Sequence, residues 1–265
     1  MSTNPGAFIW YELMTTDIDA AAAFYGAVVG WQVPGQRDPL AGDRDYRMIR
    51  RSDGGNAGGM LQLTAGMQQG GARPTWLTYL EVADVDATTA AIEQDGGHRH
   101  LRMSLPVGEV AMVTDPLGSP FYVMRPIPPP GQPDARSDVF DPMTVQRANW
   151  NELVTPDLAR AKAFYAKHFG FAFNESMPMG EMGDYCFIDV GGQRAGAVMQ
   201  QHKSVAFTGW TFYFGVPSIT AARQAVEAGG GRVLMGPHQV PGGRYAMVAS
   251  DPQGAIFGAA GPLGQ

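Results

Sequence analysis

The sequence predicts an α+β fold built from two tandem copies of one pattern, and three observations carry that expectation. The stretch Trp10-Tyr11-Glu12-Leu13-Met14-Thr15-Thr16-Asp17, running on to Phe24-Tyr25 and Gly30, returns 140 residues later as Trp150-Asn151-Glu152-Leu153-Val154-Thr155-Pro156-Asp157, Phe164-Tyr165 and Gly170. Ten of the twenty-one positions from Trp10 to Gly30 are identical in the two copies. The echo then continues: Asp45-Tyr46 with Asp184-Tyr185, Ala57-Gly58 with Ala195-Gly196, Trp76, Tyr79 and Val82 with Trp210, Tyr213 and Val216, and Asp115-Pro116-Leu117-Gly118 with Asp251-Pro252-Gln253-Gly254. Finally, each copy reads as a strand, an amphipathic helix and a set of further short strands, and then repeats that order.

Taken in order, Phe8 to Met14 is β-rich. Asp17 stands as an N-cap before Ile18 to Val29, where Ala21, Phe24, Tyr25 and Val28 fall at i, i+3, i+4 and i+7, and Gly30 closes the helix. Tyr46 to Ile49 and Ala57 to Leu63 follow as strands around the turn signal Ser52-Asp53-Gly54-Gly55. After a loop from Thr64 to Pro74 the order recurs: strand Trp76 to Val82, helix Asp84 to Gln94, a Gly96-Gly97 stop, then strands His98 to Ser104, Val110 to Thr114 and Phe121 to Met124. Half one is thus two β-α-β-β-β units, and half two repeats them from Ala148 to Ala259. The prolines of Arg125 to Pro133 rule out helix or central strand and predict a stiff, extended linker.

With 45% apolar and 17% charged residues the chain has the composition of a globular protein able to bury a core. A net charge of −6, with no basic patch, argues against a nucleic-acid partner. The single cysteine, Cys186, excludes an intrachain disulfide and suits a reducing compartment. No charged leader with an apolar run opens the chain and no membrane-length apolar stretch occurs, so the expectation is a soluble, untargeted, cytoplasmic protein without a membrane partner.

The strand-Asp-helix-Phe-Tyr-Gly opening of each half, the Val82 to Asp86 helix start, the Gly-Gly turns and the Asp-Pro-x-Gly turns resemble the vicinal oxygen chelate superfamily. That superfamily holds glyoxalase I, bleomycin-resistance proteins and extradiol dioxygenases. Within it the chain is similar to a two-domain subgroup marked by Trp-x-Glu-Leu in each half, often labelled antigen or hydroxylase. No flavin fingerprint or iron triad supports the second label. The resemblance implies tandem glyoxalase-like domains, at residues 1–125 and 147–265 around a linker at 126–146, each of two paired β-α-β-β-β modules curling around a cleft. It also implies a divalent metal held by His or Gln and Glu on the strands. Counted from the motifs, those ligand positions fall on Trp10 and Trp150, near Leu77 and Thr211, and on Tyr122 and Gly258. None is an imidazole or a carboxylate, so the fold and the cleft carry over but the metal does not: no metal and no cofactor is expected.

What remains at these positions is still chemically pointed. Alternation along a strand sets Trp10 beside Glu12, and Trp150 beside Glu152, on one face. If that face is the cleft, each half offers an aromatic wall next to a carboxylate, suited to stacking a planar ligand and accepting its hydrogen bond. Space-filling by the indoles and internal pairing of the carboxylates is the competing explanation, and it weighs slightly more. Glu12 and Glu152 are the candidate acid–base residues. Tyr46, Tyr185, Tyr79 and Tyr213 are candidate lining residues, and Arg244, where half one has Glu109, would favour an anion in half two. His98 and His100 lack a third metal ligand. His168 closes a helix, where a cation meets the carbonyl end. Cys186 reads as a small buried residue rather than a nucleophile.

The leading expectation is a binder of an aromatic or apolar small molecule, acting by sequestration or metal-free chemistry. The alternatives are a lyase, isomerase or oxygenase whose metal ligands lie elsewhere, and a structural protein whose clefts have closed. Pairing of the halves with each other and pairing across a homodimer are both compatible with the sequence.

Overall fold

The computed structural model describes residues 4–203, 205 and 207–264. The first repeat runs β1 (Phe8–Thr15), α1 (Ile18–Val29), β2 (Tyr46–Arg50), β3 (Asn56–Gln62), α2 (Ala65–Gln69), β4 (Thr75–Glu81), α3 (Val85–Gln94), β5 (His98–Leu105), β6 (Gly108–Thr114) and β7 (Pro120–Pro126). The second runs β8 (Ala148–Thr155), α4 (Leu158–Phe169), β9 (Ser176–Pro178), β10 (Asp184–Val190), β11 (Gln193–Gln200), β12 (Gly209–Gly215), α5 (Ile219–Ala228), β13 (Arg232–Gln239), β14 (Tyr245–Ser250) and β15 (Ile256–Gly261). The strands form two open mixed sheets, ordered β2-β3-β1-β4-β7-β6-β5 and β13-β14-β15-β12-β8-β11-β10-β9. Each sheet therefore belongs to one repeat, and the α+β expectation holds.

The helices start and stop where the sequence marks them. Asp17 Oδ1 accepts from Ala20 N–H at 2.9 Å, and Asp157 does the same from Arg160 at 3.0 Å, satisfying donors that the first turn leaves open. Gly30 and Gly170 end α1 and α4 at φ of 85° and 66°, the left-handed conformation that only glycine adopts cheaply. Three features depart from the sequence reading. The Thr64–Pro74 loop contains α2, a five-residue helix capped by Thr64. The second repeat adds the three-residue strand β9 against β10. Strand β7 runs on through Arg125 and Pro126, which pair with Glu109 and Gly108, so the extended linker begins later than expected. Pro126 is tolerated because it sits at the strand end.

The chain packs into two compact units, and each draws on both repeats. One comprises the residues up to Trp10, Thr78–Asp138 and Asn151–Trp210; the other comprises Tyr11–Leu77, Val139–Trp150 and Thr211 onward. In the first, Tyr165 stacks on Phe171 at 5.5 Å between ring centroids, with Phe121, Phe169 and Trp210 around them. In the second, Tyr25, Trp31, Trp76, Phe214 and Phe257 form the equivalent aromatic core.

Both cores contain the same buried relay, made of motifs that mark the repeat. Trp76 Nε1 donates to Tyr25 Oη at 2.9 Å, and Tyr25 donates to Asp251 Oδ2 at 3.2 Å. In the other unit Trp210 donates to Tyr165 at 3.0 Å, and Tyr165 to Asp115 at 3.0 Å. Each aspartate also holds its own Asp-Pro-x-Gly turn: Asp115 Oδ1 accepts from Leu117 and Ser119, and Asp251 Oδ1 from Gln253 and Ala255. Burial, then the aspartate, push both phenols well above the ordinary tyrosine value, so each remains a donor. The paired Phe-Tyr and Asp-Pro-x-Gly motifs thus join a helix of one repeat to a turn of the other.

A second repeated pair, Ala57-Gly58 and Ala195-Gly196, reflects close backbone approach. A Cβ at Gly58 would lie 2.2 Å from the Tyr11 carbonyl oxygen, and one at Gly196 would lie 1.9 Å from that of Asn151. Elsewhere, Asp53 orders the β2–β3 turn. It accepts from the Gly55 N–H at 2.9 Å and from Arg51 Nε at 3.1 Å, and these contacts hold its carboxyl down to about 2. Because that lies below the ordinary value of about 3.9, the contribution is present above the unfolded value and lost as pH falls towards 2. The urea midpoint of Asp53→Asn should therefore trail wild type at pH 6, and the gap should narrow at pH 2; an equal gap at both would contradict this role.

Candidate functional site

Strand register decides which side chains share a face, and the contacts of α1 and α4 decide which face the helices cover. On β10, Cys186 is buried towards α4, its Sγ 3.8 Å from Lys162 Nζ, so Tyr185 and Phe187 project from the opposite, helix-free face. Tyr185 pairs with Met199, Met199 with Val154, and Ala197 with Glu152, which brings these residues onto that same face. There Tyr185 Oη donates to Glu152 Oε2 at 2.6 Å, a charge-assisted bond between two of the candidates. Val154, Met199 and Val205 form a buried apolar cluster beside the pair, with Met182, Tyr185 and Phe207 packed against it.

The first repeat is built alike. Arg47 on β2 turns towards α1 and pairs with Asp19 and Asp45, so Tyr46 and Met48 take the helix-free face. Glu12 pairs with Gly59 and Met14 with Leu61, and Leu61 pairs with Tyr46. The Tyr46 ring lies over Gly59, with its hydroxyl 2.0 Å from where a Cβ would be, so the missing side chain is what lets the phenol cross β3 towards the Glu12 row. Glu12 is 3% exposed. Trp10 and Trp150 are both half-buried, and alternation puts each on the face of its Glu.

On the later strands the two repeats differ. Tyr79 pairs with Tyr122 across β4 and β7, and their rings stack at 4.3 Å between centroids. The corresponding Tyr213 pairs with Gly258 across β12 and β15, and its ring covers the glycine, 2.3 Å from where a Cβ would sit. Of the positions where the resemblance implies metal ligands, Tyr122 is thus engaged in an aromatic stack and Gly258 offers no side chain. The others are Trp10, Trp150, Leu77 and Thr211, whose indole, aliphatic and neutral hydroxyl groups are poor donors for a divalent cation. This donor set does not fit the metal. Among the described residues no three or more His, Cys, Asp or Glu side chains are grouped as a metal site.

Arg244 serves a structural purpose in the place it occupies. It donates to the carbonyls of Pro142 at 2.7 Å and Ala260 at 3.0 Å and to Asn149 Oδ1 at 2.9 Å, fastening the segment before β8 to β15. Burial lowers its pKa, and all these acceptors are neutral. Its first-repeat counterpart, Glu109, accepts from Arg102 and Ser104. His168 does more than close a helix: its Nε2 lies 2.8 Å from Asp95 Oδ2 at the end of α3. His98 and His100 sit side by side on exposed β5, ring centroids 4.7 Å apart. A surface depression of about 680 Å³ near Gly170 and Gly191 contains none of the candidates, and its Arg194 is paired with Glu175 and Asp189.

The sequence reading missed Met182, Met199, Val205 and Phe207, whose loop positions or common apolar character gave no signal. It also missed Gly59, for which the only cue was a glycine inside a strand.

Tandem β-α-β-β-β modules with a polar pair on the helix-free face define a glyoxalase-type fold. A sequence profile of the Glyoxalase/Bleomycin resistance protein/Dioxygenase superfamily matches residues 7–121 and 147–257, and the chain belongs to that superfamily. It is 30% identical over 267 residues to a Mycobacterium tuberculosis protein named Putative glyoxylase CFP32, covering 97% of this chain and 95% of the relative. It is 31% identical over 273 residues to Anthracycline biosynthesis protein DauV of Streptomyces sp. strain C5, covering 96% and 92%. Among solved structures, the Mn(II)-bound glyoxalase from Novosphingobium aromaticivorans matches with a TM-score of 0.63 at 16% identity over 99% of this chain and 84% of that one. A homoprotocatechuate 2,3-dioxygenase variant from B. fuscum matches with a TM-score of 0.63 at 18% identity over 98% and 72%. At these identities the two structures speak for the fold alone. Among the described residues no helix is long and apolar enough to cross a membrane.

Proposed function

We propose that the chain binds a planar, hydroxylated aromatic small molecule on its helix-free sheet faces without the superfamily's metal, and that it does so in the cytoplasm. The observation that carries this reading is the Glu152–Tyr185 bond beside Val154, Met199, Val205, Met182 and Phe207. Ligand sites combine apolar walls with a few convergent polar groups, and a carboxylate accepts several hydrogen bonds at once. A phenolic hydroxyl can therefore donate to Glu152 while the apolar side chains and Trp150 take the rings. Glu12 and Tyr46 provide the first-repeat version, with Trp10 as its aromatic wall. Methionines suit rings of varied outline, because their side chains adapt.

The name of the Streptomyces relative favours the same ligand class, since anthracyclines are planar polycyclic aromatics carrying hydroxyl and carbonyl oxygens. In this reading Glu12 and Glu152 also serve as bases for any proton the bound ligand gives up, and Tyr79 and Tyr213 line the later strands. Arg244 supports the loop rather than contacting an anion.

Differential scanning calorimetry with 1,4-dihydroxyanthraquinone, catechol and methylglyoxal tests the proposal. Ligand present at 100 times Kd stabilises the folded state by about 2.7 kcal/mol. The anthraquinone should raise the melting temperature and methylglyoxal should not. No shift with either aromatic compound would contradict aromatic binding.

A further inference from the structure

Resting on that reading, we infer that Met177 sets the ligand size of the second repeat: its thioether is the far apolar wall for a fused polycyclic ring system, while the first repeat, which carries Asp38 in its place, takes a single ring. Strand pairing puts Met177 on the face of the site. Met177 of β9 pairs with Tyr185 of β10, Tyr185 with Met199 of β11, and Met199 with Val154 of β8. Residues directly opposite across a sheet share a face, so one row of side chains runs from Val154, beside Glu152, to the half-buried Met177 on the edge strand. The whole row lies within one compact unit. The Tyr185 phenol points away from β9, towards Glu152 on β8. On its β9 side it is bordered by the Met177 thioether, a flexible group that fits irregular ring outlines. Three strand spacings of about 4.8 Å separate β8 from β9, a row of about 14 Å. A single ring held at Glu152 ends short of Met177, whereas three fused rings reach its side chain.

The corresponding row of the first repeat supplies the contrast. It reads Met14, Leu61 and Tyr46, and there the sheet ends at β2. The segment beside Tyr46 forms no strand; its Asp38 N–H donates to the Tyr46 carbonyl at 2.7 Å. Asp38 precedes Tyr46 by the same eight residues that separate Met177 from Tyr185. Its side chain accepts from the Leu40 N–H at 2.8 Å and so caps the turn Pro39–Ala41. A polar side chain committed to a turn offers a terminal ring no apolar contact. The second repeat thus has one more strand and a methionine where the first has a capped turn.

Calorimetric titration of the full chain with 1,4-dihydroxyanthraquinone and with catechol tests this. Wild type should show one tight anthraquinone site per chain. Met177→Ala should weaken that site about tenfold, the loss expected when about 55 Å² of apolar contact is removed, and should change catechol affinity by less than about twofold. Met177→Gln keeps the length of the side chain and should show the same selective loss, which serves if alanine disturbs β9. Met177→Leu keeps the apolar bulk and should stay within about threefold of wild type for both ligands. Where catechol binds wild type too weakly to measure, the size preference is already met and the anthraquinone titrations decide. Unchanged anthraquinone affinity in Met177→Ala and Met177→Gln overturns the inference. So does an equal loss for catechol in both variants, and so do two anthraquinone sites of equal affinity per chain. If neither ligand binds wild type, the proposed function fails and this inference with it; if wild type binds and the Met177 variants match it, only the size assignment fails.

Discussion

Asp251→Ala should lower the melting temperature by about 10 °C. Asp251 is 3% exposed and accepts from the Gln253 and Ala255 N–H groups and from the Tyr25 hydroxyl. Alanine leaves three buried donors without an acceptor, each costing about 1–3 kcal/mol, and relaxation of the turn brings the total to about 4 kcal/mol. At about 2–4 °C per kcal/mol for a chain of this size, the expected drop follows. Asp251→Asn, which keeps a carbonyl oxygen for the turn, should lose less than half as much. Burial raises the Asp251 pKa above its value in the unfolded chain. Its pH-dependent contribution is largest below the unfolded carboxylate value and declines as pH rises through the folded one, opposite in sign to Asp53. Scanning calorimetry at pH 7 decides the matter: a drop under about 2 °C in Asp251→Ala would mean that the relay between Trp76, Tyr25 and the turn adds little.

Glu152→Gln should cost about tenfold in affinity for 1,4-dihydroxyanthraquinone while leaving the fold intact. A hydrogen bond to an ionised acceptor contributes about 1.5–3 kcal/mol, against about 0.5–1.5 kcal/mol for a neutral one. Glutamine preserves the shape and can still accept from Tyr185, so the loss isolates the charge. The same change removes the proposed base, and any turnover of the bound ligand should disappear with it. Tyr185→Phe tests the geometry separately, because Glu152 then keeps its charge but loses the 2.6 Å contact that orients it. Titration calorimetry on both variants, with far-ultraviolet circular dichroism as the folding control, distinguishes these outcomes; wild-type affinity in Glu152→Gln would remove the carboxylate from the site.

Much of the fold could be read from the sequence because its signals are local. Asp17, Asp157, Gly30 and Gly170 mark the ends of α1 and α4 by capping chemistry that operates within a few residues. The Trp-x-Glu face follows from strand alternation alone. The short helix α2 carries two glutamines and a glycine in five residues and has no apolar period to detect, and β9 is too brief to leave a pattern. Partners were harder to foresee than elements. Tyr25 and Asp251 stand out as repeated residues, yet they meet across 226 positions, and only the tertiary arrangement couples them. Glu152 and Tyr185 lie 33 positions apart and meet because register slants a phenol across β11. The difference between Tyr122 and Gly258 was visible as a lost carboxylate in both repeats, whereas its consequence, a stack in one and a covered glycine in the other, depends on strand pairing.

The decisive measurement is a calorimetric titration of 1,4-dihydroxyanthraquinone into the purified protein, run once with excess EDTA and once with Mn(II). A saturable isotherm of the same affinity in both would be the result expected of a superfamily member whose ligand positions hold tryptophan, leucine, threonine, tyrosine and glycine. Binding that vanishes with the chelator and returns with Mn(II) would contradict it, and would place a cation among residues other than those positions.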